Sequence, residues 1–164
     1  MDQKRLLPIL AGSIILLTVY IAAFIFFRQQ KHLSDTRTNK GILYINKTKI
    51  DVQVASALFE KKQGLSGKPS IEKNEGMLFI YKKDGKYGYW MKNMNFPIDI
   101  IWIDSNFQIV EISENIPPES FPQSFKSEKP IRYVLEISAN LAKDKQISVG
   151  DRVDGIKEIL ENLH

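Results

Sequence analysis

Hydrophobic and polar positions divide this 164-residue chain into three stretches. Residues 6–27, LLPILAGSIILLTVYIAAFIFF, carry no charge and present no polar face. At about 1.5 Å per residue such a helix reaches roughly the ~30 Å of a bilayer's hydrocarbon core. Lys4 and Arg5 lie in the short flank 1–5 before it, as in the basic start of an export signal. The apolar run exceeds the roughly 7–15 residues of a signal core, and Phe-Ile-Phe-Phe after Ala22-Ala23 makes a poor cleavage site. The pattern therefore predicts one uncleaved transmembrane helix over a removable signal. Residues 28–40, RQQKHLSDTRTNK, are polar and aperiodic and read as a tether. Residues 41–164 then read as one β-rich domain.

Within that domain the alternation marks short strands. Ile42–Ile45 and Ile50–Val54 flank Asn46-Lys47-Thr48-Lys49 and predict a hairpin. Ala55–Gln63 suits a helix ended by Gly64, with Leu58 and Phe59 toward the core. Ser66–Asn74 is a loop. Gly76–Lys83 is apolar on both faces, as expected of an interior strand. Asp84-Gly85 is the strongest hairpin signal and predicts a return strand over Tyr87–Lys92. Pro97 interrupts the pattern, and Ile98–Asp104 and Phe107–Ser113 complete a predicted four-strand meander. Residues 114–130 hold four of the seven prolines and read as a crossover between two sheets or a lid. Ile131–Ser138 is a strand, Leu141–Gln146 a helical turn, and Gly150-Asp151 a further turn. Ile156, Ile159, Leu160 and Leu163 share one face of a closing helix. The expected fold is mainly β, a compact antiparallel sandwich or barrel with short helices.

Charge sharpens this picture. The chain has 23 Lys and Arg against 19 Asp and Glu. Six of the basic and two of the acidic residues fall in 1–40, so the remaining domain holds seventeen of each. The basic excess sits at the membrane flanks, where it can meet lipid phosphates. A domain without net positive charge argues against a nucleic-acid partner. Counting Lys and Arg beside the apolar run favours a cytoplasmic domain. An apolar segment at the very N-terminus instead favours export, and an extracytoplasmic domain is the expectation taken forward. There is no cysteine, and the two histidines are His32 and His164. Thiol chemistry, a Ser-His-Asp triad and a His or Cys metal site are excluded on composition, and no cofactor is expected.

The residues with the most unusual local chemistry surround the bend from Trp90 to Asp99, WMKNMNFPID. Lys92, Asn93 and Asp99 offer a point charge, an amide and a carboxylate where a strand is interrupted. In a purely structural alternative Asn93 caps the turn and Asp99 pairs with Lys92 or Arg132. Alanine at Lys92 or Asp99 should leave a folded domain that has lost ligand binding under the first reading, and an unfolded one under the second. Trp90 and Trp102 offer an aromatic platform or core packing, with Trp90 on a central strand favouring the core. Glu111, Glu136 and Asp151, with Arg132, are candidates for a carboxylate pair. Asp104, Asn106 and Glu111 could bind Ca²⁺, although Asp-Ser-Asn is ordinary turn chemistry. The candidate ligand-binding set is thus Trp90, Lys92, Asn93, Asp99 and Arg132, with no metal ligands.

Ordered motifs link these pieces: Glu60-Lys-Lys-Gln-Gly64-Leu65, Glu75-Gly-Met-Leu-Phe79, Trp90-Met-Lys-Asn93 with Pro97-Ile-Asp99, Ile109-Val-Glu-Ile112, Val134-Leu-Glu136 and Gly150-Asp151. In this order they resemble the bacterial and archaeal "domain of unknown function 192" family over about residues 50–153. The chain departs at Ser66-Gly67-Lys68, where the family has Met, an apolar or aromatic residue and Arg, and at Met94, where it has Thr. The resemblance implies an antiparallel β-sandwich or barrel, often behind an export signal, and no settled activity. Function is then a choice among three expectations. The first is a non-enzymatic membrane-anchored module binding a small molecule or envelope component. The second is a carboxylate-based envelope hydrolase with 114–130 as lid, and the third a structural partner domain. An aromatic-lined recess without a carboxylate pair would favour the first, two suitably spaced carboxylates the second, and a flat apolar patch the third.

Overall fold

A computed structural model of the protein describes residues 19–26 and 39–163. The chain divides into two compact units, residues 1–38 and 39–164. In the first, residues 19–26 form helix α1 with exposed side chains. The remainder of the predicted 6–27 span and almost all of the 28–40 tether lie outside the described residues. Among the described residues no helix is long and apolar enough to cross a membrane.

The second unit is a single seven-stranded sheet, curled into a half-barrel, rather than a sandwich or closed barrel. Strands β1 (Lys40–Ile45) and β2 (Thr48–Ala55) form the expected hairpin, with Ile45 opposite Thr48 and Asn46 in the left-handed region at the turn. Helix α2 (Leu58–Gln63) leads to β3 (Glu75–Gly85). Next come β4 (Ile98–Ile103), β5 (Ile109–Ile116) and a short 3₁₀ turn at Pro118–Ser120. Strand β6 (Ile131–Ser138), helix α3 (Leu141–Asp144), the two-residue β7 (Val153–Asp154) and helix α4 (Ile156–Asn162) close the chain. The strand order is β5-β4-β6-β3-β2-β1-β7.

Two expectations about pairing are corrected. The sheet is mixed, because β2 and β3 run parallel, Asp51 beside Glu75 and Ala55 beside Phe79. A helix and a Gly/Pro-containing loop between two strands is a crossover connection, and a crossover sets the second strand parallel to the first. The four-strand meander is also absent. Tyr87–Lys92 is not a ladder strand, and only Tyr89 forms a bridge, to Phe125. The place beside β3 belongs to β6, with Leu78 opposite Leu135 and Phe79 opposite Val134. Strand β6 is buried on both faces and gains a partner on each edge there, whereas 87–92 has one apolar face. Asp84-Gly85 consequently makes no hairpin: the Asp84 carboxylate pairs with Arg132, and Gly85 lies opposite Ile131.

Each face of the sheet carries its own core. On one, Leu43, Ile50, Leu78, Ile101 and Leu135 meet Leu141 and Ala142 of α3 and Ile156 and Ile159 of α4. On the other, Phe79, Ile100, Trp102 and Val134 meet Leu65, Tyr89 and Met91. Residues 114–130 cross over β4, joining β5 to β6 within one sheet, and so are a crossover but not one between sheets. Trp102 is completely buried, and its Nε1–H donates to Ser113 Oγ at 3.1 Å. Trp90 is 58% exposed. The core preference assigned to Trp90 is thus reversed, because it sits on the irregular segment rather than on a central strand. Leu58 and Phe59 are exposed as well, since α2 is held at its start by polar bonds and buries no side chain.

Candidate functional site

A recess opens onto the second core beside α2. Helix α2 begins where Glu60 turns back to accept the N–H groups of Ser56 and Ala57, at 2.8 and 2.7 Å. This satisfies two donors left over at the helix start. The helix ends at Gly64, whose φ of 52° and ψ of −135° suit glycine alone. Its N–H donates to the Glu60 carbonyl at 2.8 Å. A Cβ at Gly64 would stand 3.4 Å from the Phe79 ring and 4.0 Å from Glu136 Oε2. The bare backbone of Gly64 therefore leaves a recess of about 70 Å³ above these groups. Its walls include Lys61 and Lys62 of α2, Tyr81 of β3, and Tyr89, Trp90 and Met94 of the irregular segment.

Glu136 lies at the inner end. Its residue is 6% exposed, and Oε2 finds no hydrogen-bond partner among the described groups. Burial pushes its pKa up to about 8, so the carboxyl is mostly protonated at neutral pH. Tyr81 and Tyr89 join their hydroxyls at 2.9 Å, and burial raises both phenols above their ordinary range. Tyr89 stands edge-on to Phe79 and Trp102, and Tyr87 stacks on Tyr81 at 3.5 Å, so the wall is rigid. Lys61 donates to the Ser56 carbonyl at 2.7 Å and lies 4.8 Å from the centre of the Tyr81 ring. Partial burial lowers its pKa, with Glu60 opposing the shift and Lys82 adding to it. At the rim, Trp90 meets Phe121 of the crossover edge-on at 6.3 Å.

The sequence-derived candidates are dispersed. Trp90 lines the recess. Lys92 and Asn93 are exposed beside it, and their carbonyls accept from Ser66 Oγ and the Gly67 N–H, each at 2.8 Å. Asn93 has φ 57°, a turn conformation that asparagine tolerates. Asp99 is fully buried and points to the opposite core. Its Oδ1 accepts from the N–H groups of Asn115 and Asn140, at 2.8 and 3.0 Å, and Oδ2 from Ala142 at 3.0 Å. It pairs with neither Lys92 nor Arg132. Arg132 is bound to Asp84 at 2.6 Å. It shares a strand face with Glu136 but lies four residues, roughly 13 Å, along it.

The suggested carboxylate pair does not assemble either. Glu111 accepts from Ser127 and Glu128, and Asp151 from Asn46 and Ser148. Asp104 accepts two N–H bonds of its own turn, from Asn106 and Gln108. Among the described residues no three His, Cys, Asp or Glu side chains are grouped to hold a metal. Sequence reasoning named Glu136 only as one of several acids, and passed over Gly64, Tyr81, Tyr89 and Phe121. The signal for Glu136 was Val134 beside it: an apolar residue on the presumed outer face means that this face is not solvent.

Comparisons with known proteins agree with this fold. The structure of a candidate transcription regulator from Sinorhizobium meliloti 1021 superposes with a TM-score of 0.68 at 30% identity, covering 71% of this chain and 94% of that one. A protein of unknown function from Novosphingobium aromaticivorans DSM 12444 gives 0.64 at 25% identity, covering 70% and 83%. None of the curated proteins matches the chain. A family model described as "Uncharacterized ACR" matches residues 41–155, and the chain belongs to that family, domain of unknown function 192.

Proposed function

We propose that this chain is a membrane-anchored, extracytoplasmic module that binds a small ligand in the recess between α2 and residues 88–94, without turning it over. One observation carries the binding reading. Glu136 offers a buried, unpartnered carboxyl oxygen at the end of an aromatic-walled recess. A buried polar group without a partner costs about 1–3 kcal/mol, and a ligand hydrogen bond would recover that cost. The hydrolase alternative requires a second carboxylate, and among the described residues Glu136 is the only acid lining the recess. The anchor rests on the uncharged run 6–27, and the domain's outside position on the Lys4-Arg5 pair before that run, which resembles the basic start of an export signal. The regulator description belongs to the Sinorhizobium protein; here the balanced charge of 41–164 speaks against a nucleic-acid surface.

The test is a thermal-shift screen of the full-length chain against metabolites and glycans, repeated on Trp90→Ala and Glu136→Gln. A ligand of the native state raises the melting temperature, and at 100 times its Kd adds about 2.7 kcal/mol. The expected hit loses its shift in Trp90→Ala and weakens in Glu136→Gln. Hits indifferent to both changes would remove the recess from consideration. Turnover of a hit would replace binding with catalysis.

A further inference from the structure

Resting on that reading of the recess, we infer that its ligand is a small organic acid, whose carboxylate enters beside Lys61 and Lys62 to meet Glu136 while its apolar part lies against Trp90. The lining carries two ammonium groups and a single acid. Lys126 adds a third amine nearby, its side chain 3.1 Å from where a Cβ on Gly88 would stand. Lys82 is near enough to Lys61 to repel it. Glu60, the nearest acid on α2, is already committed to Ser56 and Ala57. A cation would thus have to pass two like charges to reach Glu136, whereas an anion is drawn inward.

A carboxyl that keeps its proton donates to a carboxylate, and the shared proton makes a charge-assisted hydrogen bond. The Tyr81–Tyr89 hydroxyl pair can supply a further donor to the second ligand oxygen. The recess of about 70 Å³ takes a carboxylate but not a ring, which leaves the rest of the acid at the rim, where Trp90 and Phe121 stand. Tyr81 from β3 and Tyr89 from the irregular segment interact with Glu136, Lys61 and Lys62 from α2 share the recess lining with it, and Tyr87 stacks behind Tyr81. Strand β4 contributes Ile100 and Trp102 on this face and no ionisable group. Burial raises Tyr81 and Tyr89 and lowers Lys61, so between pH 6 and 9 the Glu136→Gln variant is what separates the titration of Glu136 from that of Lys61.

Benzoate, benzamide and benzamidinium have nearly one shape and charges of −1, 0 and +1. Each is titrated into the full-length chain at pH 6 and pH 9, reading the fluorescence of exposed Trp90 with Trp90→Phe as the blank. Benzoate is expected to bind tightest at pH 6 and about tenfold more weakly at pH 9, as the protonated fraction of Glu136 falls. Glu136→Gln, which keeps an N–H donor, should bind benzoate equally at both values. Benzamidinium binding best, or tightening at pH 9, would overturn the inference, and so would equal affinity for benzoate and benzamide. If none of the three binds while a different compound gives a Trp90-dependent thermal shift, the organic-acid assignment fails and the recess remains a binding site. If no compound gives such a shift, both readings fail.

Discussion

Asp99 provides the sharpest test of how this domain is held together. Its carboxylate joins three segments distant in sequence: the end of β5 at Asn115, the left-handed Asn140 before α3, and Ala142 in the first turn of α3. Helix α3 has no side-chain cap of its own, so Asp99 performs that office from β4. Replacing it with alanine leaves the buried Ala142 N–H without an acceptor and takes the acceptor from the part-buried N–H groups of Asn115 and Asn140, which water can reach in part. At about 1–3 kcal/mol for the buried donor and less for each of the other two, the expected loss is roughly 2–4 kcal/mol. The whole stability of a domain this size is about 5–15 kcal/mol. Asp99→Asn keeps one oxygen for Asn115 and Asn140 but turns an amide N–H₂ toward the Ala142 N–H, so about half that loss is expected. Lys92→Ala, at an exposed side chain, should stay within about 0.5 kcal/mol of the parent. Urea unfolding measures all three as shifts in midpoint at constant slope. A loss under about 1 kcal/mol for Asp99→Ala would refute the account of Asp99 as an internal cap and return it to the ligand-binding candidates.

Two further outcomes follow from the recess. Because the folded pKa of Glu136, about 8, lies above its unfolded value near 4.5, the unfolded state releases the proton first. Its contribution is therefore complete below pH 4.5 and is lost as pH rises to about 8, by about 1.4 kcal/mol per unit, then levels off. Chemical denaturation between pH 5 and 9 should show this fall, and Glu136→Gln should remove it; a parent curve flat over that range would contradict a buried, unpaired carboxyl. Gly64→Ala forces a non-glycine residue into a glycine conformation, with an expected cost of about 1–3 kcal/mol. Its methyl also enters the recess, so any ligand found should bind more weakly even where the variant is fully folded, as judged by circular dichroism and titration.

Much of the domain could be read from its residues because the governing forces are local. The β1–β2 turn, the interior character of β3 and β4, the extent of β6 and the apolar face of α4 each follow from alternation or helical spacing alone. Choice of partner does not. Asp84-Gly85 carried a strong hairpin signal, yet β6, arriving some fifty residues later, occupies the edge that a hairpin would have used. Only the packed structure weighs a local turn preference against burial of two whole strand faces.

The candidate site divides along the same line. Composition by itself removed thiol and Cys-metal chemistry, because an absent residue type is absent in every fold, and histidines only at positions 32 and 164 leave none within the strands to build a triad or a His-metal site. The break at Asn93–Pro97 was also rightly seen as irregular, since Pro97 cannot donate in a ladder, although the irregular stretch reaches back through the expected strand at Tyr87–Lys92. Which side chains share a space was decided by topology. Strand alternation sends Asp99 and Glu136 to opposite faces of the sheet, so one acid closes a buried network and the other is left with a free oxygen facing the recess. In the sequence both are a lone acid in an apolar strand; what separates them is the hydrogen-bond donors that tertiary structure brings to one and withholds from the other.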